Sequence, residues 1–314
     1  MLRNFERLGE PGKEVGEMAE DENIETILEF EETVDRPDPR DFCDVYEKEE
    51  VKKDLQELKL KKKKIKKKEE GMAEDEKRVK RKNDKRGRAF ETLFSEQSHE
   101  GEWFGSEAMV SRTSEYDDVM NGIDLMVEIP KEETKRLALA VDASVSSDEE
   151  VIREKVTRNI RKIGNRKKSP QVKYFEPQVF GENKGKVEGL LPVVVGAERK
   201  HANKLFDLFA ELKKLEKVDG SKERKQSLRQ ELASHPLHCV FLEEIKIQLE
   251  AYKKIFERNF DKRKECEELL SVINGVIEEK KESEIFSEGM FEDDLTYRNI
   301  IKACEESEKK EGVA

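Results

Sequence analysis

The chain has 314 residues, of which 43% are charged and 35% hydrophobic, with a formal net charge of -11 at pH 7 and a mean hydropathy of -0.89. Such a chain cannot bury enough apolar surface along its whole length to offset ordering entropy, so one compact domain with charged extensions is expected. Four well-separated cysteines (Cys43, Cys239, Cys266, Cys304) without metal-ligand spacing exclude a zinc site or disulfide framework, and no apolar run approaches the roughly 18–20 residues of a membrane span.

Residues 1–46 are acidic and are expected to be mostly disordered, apart from a short amphipathic helix around Ile24, Ile27 and Leu28. Met1 to Glu10 lacks the apolar core of a secretory signal, which points to a soluble, cytoplasmic protein. Residues 47–86 read as a charged helix or linker. Val51, Leu58, Ile65, Met72 and Val79 recur every seven residues, the first seam of a coiled coil. Lys62, Glu69 and Glu76 spoil the second seam and Gly71 weakens the helix, so a solvated helix is favoured. The run from Lys52 to Arg88 is strongly basic. A local basic stripe, not the net charge, is what a phosphate backbone senses, so DNA or RNA is a candidate partner of this run.

Globular signals span residues 87–260. Ala89, Phe90, Leu93 and Phe94 mark one face of a helix that also carries Glu91. Residues 107–114 form a weak strand, and Asn121-Gly122 is a turn dipeptide that suggests a hairpin. Ile123, Leu125, Val127 and Ile129 alternate with Asp124, Met126 and Glu128, the period of a strand. Residues 137–144 are almost wholly apolar until Asp142, as in a central strand covered on both faces. Ser147-Asp148-Glu149-Glu150 fits a capping box that opens a helix with the stripe Ile152, Val156, Ile160 and Ile163. Short strands at 172–175 and 190–195, a helix burying Leu205, Phe206, Leu208, Phe209 and Leu212, and a last helix over 235–260 complete an α/β sandwich around a mixed sheet. Residues 261–314 read as a charged helical tail, packed weakly or not at all. The charged helices at both ends could engage a protein partner.

Chemistry concentrates in Glu91, Asp124, Asp142 and Ser144. If the strands bearing Asp124 and Asp142 are neighbours, their carboxylates meet and repel unless a proton or cation intervenes. Oxygen-rich sites of this kind suit Mg²⁺ or Mn²⁺. The simpler alternatives are a solvent-facing Glu91, turn chemistry for Asp124 and helix capping for Asp142. Asp117 and Asp118 fall in the expected hairpin loop, where either is a candidate extra ligand. Trp103 and Tyr116 are candidates for base stacking or for the core, and His235 and His238 have no ligand pattern around them.

Glu91, the run Gly122-Ile123-Asp124-Leu125 and the run Val141-Asp142-Ala143-Ser144 together resemble the PD-(D/E)XK nuclease superfamily over roughly residues 87–215. The resemblance implies a restriction-endonuclease-like mixed sheet flanked by helices, with charged helical or disordered N- and C-terminal extensions. It implies a Mg²⁺ or Mn²⁺ ion held by Asp124, Asp142 and Glu91, and phosphodiester hydrolysis in nucleic acid. The family's lysine, two residues after the second acid, falls on Ser144, which shares the face of Asp142 but brings no charge. Arg112 and Lys155 are the candidate substitutes. Without one, the chain would be a slow enzyme or a catalytically inactive, nuclease-like interaction or scaffold protein that binds without cutting.

Overall fold

The computed structural model describes residues 11–132, 135–164, 170–177, 184–218, 222–283, 285 and 292–310. Among them are ten α-helices and six strands in a mixed α/β architecture, a small mixed sheet flanked by several helices, with a second sheet of two strands beside it. The chain opens with α1 (Pro11–Glu31), a 3₁₀ turn (Pro39–Phe42), α2 (Lys48–Glu70) and α3 (Glu74–Glu100). Then come β1 (Met109–Arg112), α4 (Glu115–Asn121), β2 (Leu125–Glu132), β3 (Lys135–Ser144) and α5 (Glu149–Gly164). The strands β4 (Gln171–Phe175), β5 (Gly185–Glu188) and β6 (Leu191–Gly196) precede α6 (Arg199–Glu216) and α7 (Lys222–Ala233). The last helices are α8 (Leu237–Ile255), α9 (Phe260–Glu282) and α10 (Leu295–Lys310).

The main sheet has the order β1-β2-β3-β6. Its first three strands are antiparallel to their neighbours, and β3 runs parallel to β6. A parallel pair needs a long crossover, and α5 with the β4–β5 hairpin supplies it. Leu125, Val127, Leu139, Val141 and Val193 join Phe90, Leu93 and Phe94 of α3 in the main core. On the opposite face Met126, Ala138 and Ala140 meet Val172 and Phe175 of β4. Burial on both faces is why β3 is so nearly apolar.

The free edge of β6 is closed by a helix. From α8, Glu244 accepts a hydrogen bond from Gly196 N (2.8 Å), and Tyr252 donates one to Pro192 O (2.7 Å). Between them Gln248 accepts from Val194 N (2.9 Å) and donates to Val194 O (2.7 Å). Four helical residues rise about 6 Å and two strand residues about 6.6 Å, so the two spacings match along three contacts.

Several expectations are corrected. The described part of the acidic segment, residues 11–46, is not mostly disordered: α1 sets Ile24, Ile27 and Leu28 in the main core, and Phe30 meets Phe209 edge-on at 5.7 Å; residues 1–10 lie outside the described residues. The described residues beyond 261 are not a loose tail either. Cys266, Leu269, Ile273 and Ile277 of α9 and Ile300, Ala303 and Cys304 of α10 are buried in the same core. In both places the apolar stripe is a narrow one inside a densely charged sequence. The Asn121-Gly122 pair ends a helix and makes no hairpin turn. Ser114 caps α4 by accepting from Asp117 N, and Gly122, at φ 65°, donates its N–H to Asp118 O as the left-handed C-cap. The capping residue of α5 is Asp148, which accepts from Glu150 N and Val151 N (2.9 and 3.2 Å). Of the heptad stripe, Val51 and Leu58 are buried while Ile65 and Val79 are exposed, and the helix ends at Glu70 with Gly71 as its C-cap.

Candidate metal centre

One end of the main sheet collects the acids. Packing of Phe90, Leu93 and Phe94 under α3 carries Glu91 there, α4 brings Asp118, and Asp124 immediately precedes β2. Each of these three offers a carboxylate oxygen, and the three oxygens lie within 4.8 Å of one another. Asp124 is fixed at the β2–β3 junction: its backbone N donates to Val141 O (3.0 Å) and its Oδ2 accepts from Ala143 N (2.9 Å). Asp118 accepts from Arg36 Nη2 (3.2 Å), and Glu91 has Arg112 Nη2 at 4.0 Å.

Burial pushes all three carboxyl groups up. It raises Asp124 well above the usual carboxylate range, and repulsion from Glu91, Asp142 and Asp118 adds to it. Glu91 rises to about 7, first through burial and then through Asp118, with Arg112 and Arg36 opposing. Burial raises Asp118 too, against the pull of Arg36. Oxygens gathered this closely in a partly dry site suit a hard divalent cation, which would relieve the repulsion that now favours a proton.

At Asp142 the structure departs from the sequence reading. Its two oxygens receive Lys155 Nζ and Arg158 Nη2 from α5, each at 2.6 Å. Asp142 is close enough to repel Asp124 and Glu91, but Asp118 is the acid grouped with them. Ser144 lines a cleft of about 680 Å³ together with Glu91, Asp118 and Lys155. The two cations weighed as substitutes for the absent lysine now separate. Lys155 lines this cleft with its ammonium on Asp142, whereas Arg112 is buried against Glu31 (2.8 Å).

The sequence does not separate Asp118 from Asp117, because both sit in a stretch expected to be loop. The Ser114-Glu115-Tyr116-Asp117 spacing, a serine cap over an acid-rich first turn, is the signal for a helix over Glu115–Asn121, and in that helix the two aspartates take different partners. Asp117 is structural: its oxygens accept from Lys173 N (2.7 Å), Tyr174 N (3.0 Å), Ser114 Oγ (2.7 Å) and Asn121 Nδ2 (2.8 Å). Trp103 is core, stacked on the buried His238 with its indole N–H on Leu232 O (3.2 Å). Tyr116 packs edge-on against Tyr174 at 5.3 Å. His235 accepts from Leu237 N at the start of α8.

The basic run divides into two parts. On α2, Lys61, Lys63, Lys64 and Lys67 are exposed. On α3, by contrast, Lys82 pairs with Asp21, Lys85 with Glu25, Arg86 with Glu20 and Arg88 with Glu31, all from α1. The four cysteines are free thiols. No helix among the described residues is long and apolar enough to cross a membrane. No family model, no curated protein and no solved structure matches the chain.

Proposed function

We propose that the protein binds Mg²⁺ or Mn²⁺ through Glu91, Asp118 and Asp124 and hydrolyses phosphodiester bonds in nucleic acid. The observation that carries this reading is the meeting of three carboxylate oxygens within 4.8 Å beside an open cleft. The order of elements supports kinship with PD-(D/E)XK nucleases, apart from the inserted α4 and the β4–β5 hairpin: α3 bearing Glu91, then β1, α4, β2 with Asp124 just before it and β3 with Asp142, then α5, the hairpin and β6 parallel to β3. A bound divalent ion supplies Lewis acidity and a water of lowered pKa. The chain's own part is positional. The hydrogen bonds at Asp124 N and Oδ2 hold that ligand in place, and Lys155, paired with Asp142 on the cleft wall, is the cation we assign to the role of the lysine absent at Ser144. Exposed α2 lysines add contact with the phosphate backbone.

One observation favours a second reading, a nuclease-like protein that binds without cutting. Asp142, the strand acid, has both oxygens occupied by Lys155 and Arg158. Mn²⁺ titration by calorimetry, with Mg²⁺-dependent cleavage of labelled single- and double-stranded DNA and RNA, separates the two. The nuclease reading expects Mn²⁺ binding and cleavage, both lost in Asp118→Asn and in Asp124→Asn. Mn²⁺ binding without cleavage of any substrate supports the second reading. Cleavage that survives Asp124→Asn rejects the site, and absence of Mn²⁺ binding rejects both.

A further inference from the structure

A second cleft lies on the other side of α5. Its volume is about 620 Å³, and its lining includes Arg153, Arg158, Arg161 and Lys310 with Glu154 as the one acid. Val151 and Lys155 line this cleft and also the one that holds the carboxylates. The two are therefore neighbours across one turn of α5, with Lys155 at the junction. Arg161 and the α10 residue Lys310 are exposed and have no ion-pair partner among the described residues. Two cations on the wall of one cleft with no ion-pair partner among the described residues are best screened by an anion or solvent, and a chain of phosphates does so at successive positions.

The alternative route out of the carboxylate cleft, along α3, is already neutralised. Lys82, Lys85, Arg86 and Arg88 each face an acid of α1, and Arg199 of α6 shares Glu20 with Arg86. A polyanion approaching there would have to displace these pairs, several of them partly buried. Across α5, Lys155 and Arg158 are paired with Asp142 and Arg153 with Glu150, but Arg161 and Lys310 have no ion pair among the described residues to displace.

Resting on the function proposed above, we propose that the nucleic-acid backbone leaves the carboxylate cleft over Lys155 and runs along the basic groove between α5 and α10, with Arg161 and Lys310 as phosphate contacts. The groove thus fixes which face of the molecule the substrate covers. It also makes α5 a shared wall, carrying the cleft's lysine on one side and the backbone contacts on the other.

The test is fluorescence anisotropy with fluorescein-labelled single-stranded and duplex 20-nucleotide DNA in EDTA, on the full chain. The double variant Arg161→Glu/Lys310→Glu alters exposed side chains, and its thermal melt serves as the folding control. Binding weakened about tenfold or more, with the slope of log affinity against log salt reduced by about 2, is the expected result. Mn²⁺ binding at Glu91, Asp118 and Asp124 should be unchanged in the same variant. Unaltered DNA affinity in this variant, with loss of affinity in Lys63→Glu/Lys67→Glu on α2, overturns the groove while leaving the metal site and its chemistry intact. A wild-type chain that binds neither DNA overturns the groove as well, and the Mn²⁺ and cleavage assays then judge the proposed function separately.

Discussion

Glu91 and its two companions are held where ionisation is unfavourable, and that has a definite pH signature. With its carboxyl raised from 4.5 to about 7, Glu91 retains a proton in the folded protein that the unfolded chain gives up. The folded state thus binds more protons across that window, and this group's contribution to stability falls as pH rises from about 4.5 through 7. Glu91→Gln removes the loss. Without divalent cation it should be more stable than wild type at pH 8, by on the order of 1–3 kcal/mol, and equal to it near pH 4, read from denaturant midpoints. The Mn²⁺-induced rise in Tm of the wild-type protein should accordingly grow with pH over the same range. A flat difference between the two proteins across pH would show that Glu91 is not strained by its neighbours.

Asp117 and Asp118 give the matching test of assignment. Asp117→Ala strips acceptors from Lys173 N and Tyr174 N and should destabilise by roughly 1–3 kcal/mol or more without being a ligand loss. Asp118→Asn should do the reverse, abolishing Mn²⁺ binding at little cost in stability. Glu91 and Asp124 could be picked out of the sequence because a helical face and an alternating strand surround them. Asp118 could not, since nothing in a single chain says that two adjacent aspartates point to opposite duties. Asp142 was recognisable as special but not in its partners, because Lys155 and Arg158 lie a whole loop and one or two helical turns away.

At the level of elements, periodicity in the apolar residues was informative and charge density was misleading. The strand alternation around Leu125 and Val127 and the α5 stripe of Ile152, Val156, Ile160 and Ile163 all reach the core as their spacing suggests. The helices α1, α9 and α10 look solvated because their charges outnumber their apolar residues. Those charges are met elsewhere in the fold: Glu20 by Arg86 and Arg199, Glu29 by Lys217, and Lys302 of α10 by Glu149. Pairing partners so distant in sequence are invisible until the chain is folded. If α1 belongs to the core, Ile27→Ala should cost about 2–5 kcal/mol in urea unfolding, as a buried aliphatic truncation does. A cost near zero would return α1 to the status of a loosely attached segment. The same reasoning applies to Ile273 in α9, which is fully buried.

The molecule as a whole carries -11 charges, yet its cations are not evenly cancelled. Acids of α1 neutralise α3, while α2 and the outer side of α5 keep cations exposed. The prediction at this scale is a strongly salt-dependent association with nucleic acid despite an acidic pI. Raising NaCl from 50 to 200 mM should weaken DNA binding by at least tenfold if several phosphates are contacted, as measured by anisotropy. An affinity indifferent to salt would argue that the exposed cations meet something other than a phosphate backbone.

The contacts from α8 to β6 also decide how wide the sheet can be. A strand's outer row of amide and carbonyl groups invites another strand, from the same chain or a second copy. Here three side chains spaced four apart fill that row, so the edge is occupied by a surface that cannot be copied onward. Sheet growth stops at β6 by side-chain chemistry rather than by steric bulk. Gln248→Val keeps the helix and the volume of the core nearly unchanged but leaves Val194 N and O without partners. The expected consequence is a loss of stability of roughly 1–3 kcal/mol per orphaned group, together with concentration-dependent association in sedimentation velocity, where the wild-type edge gives none.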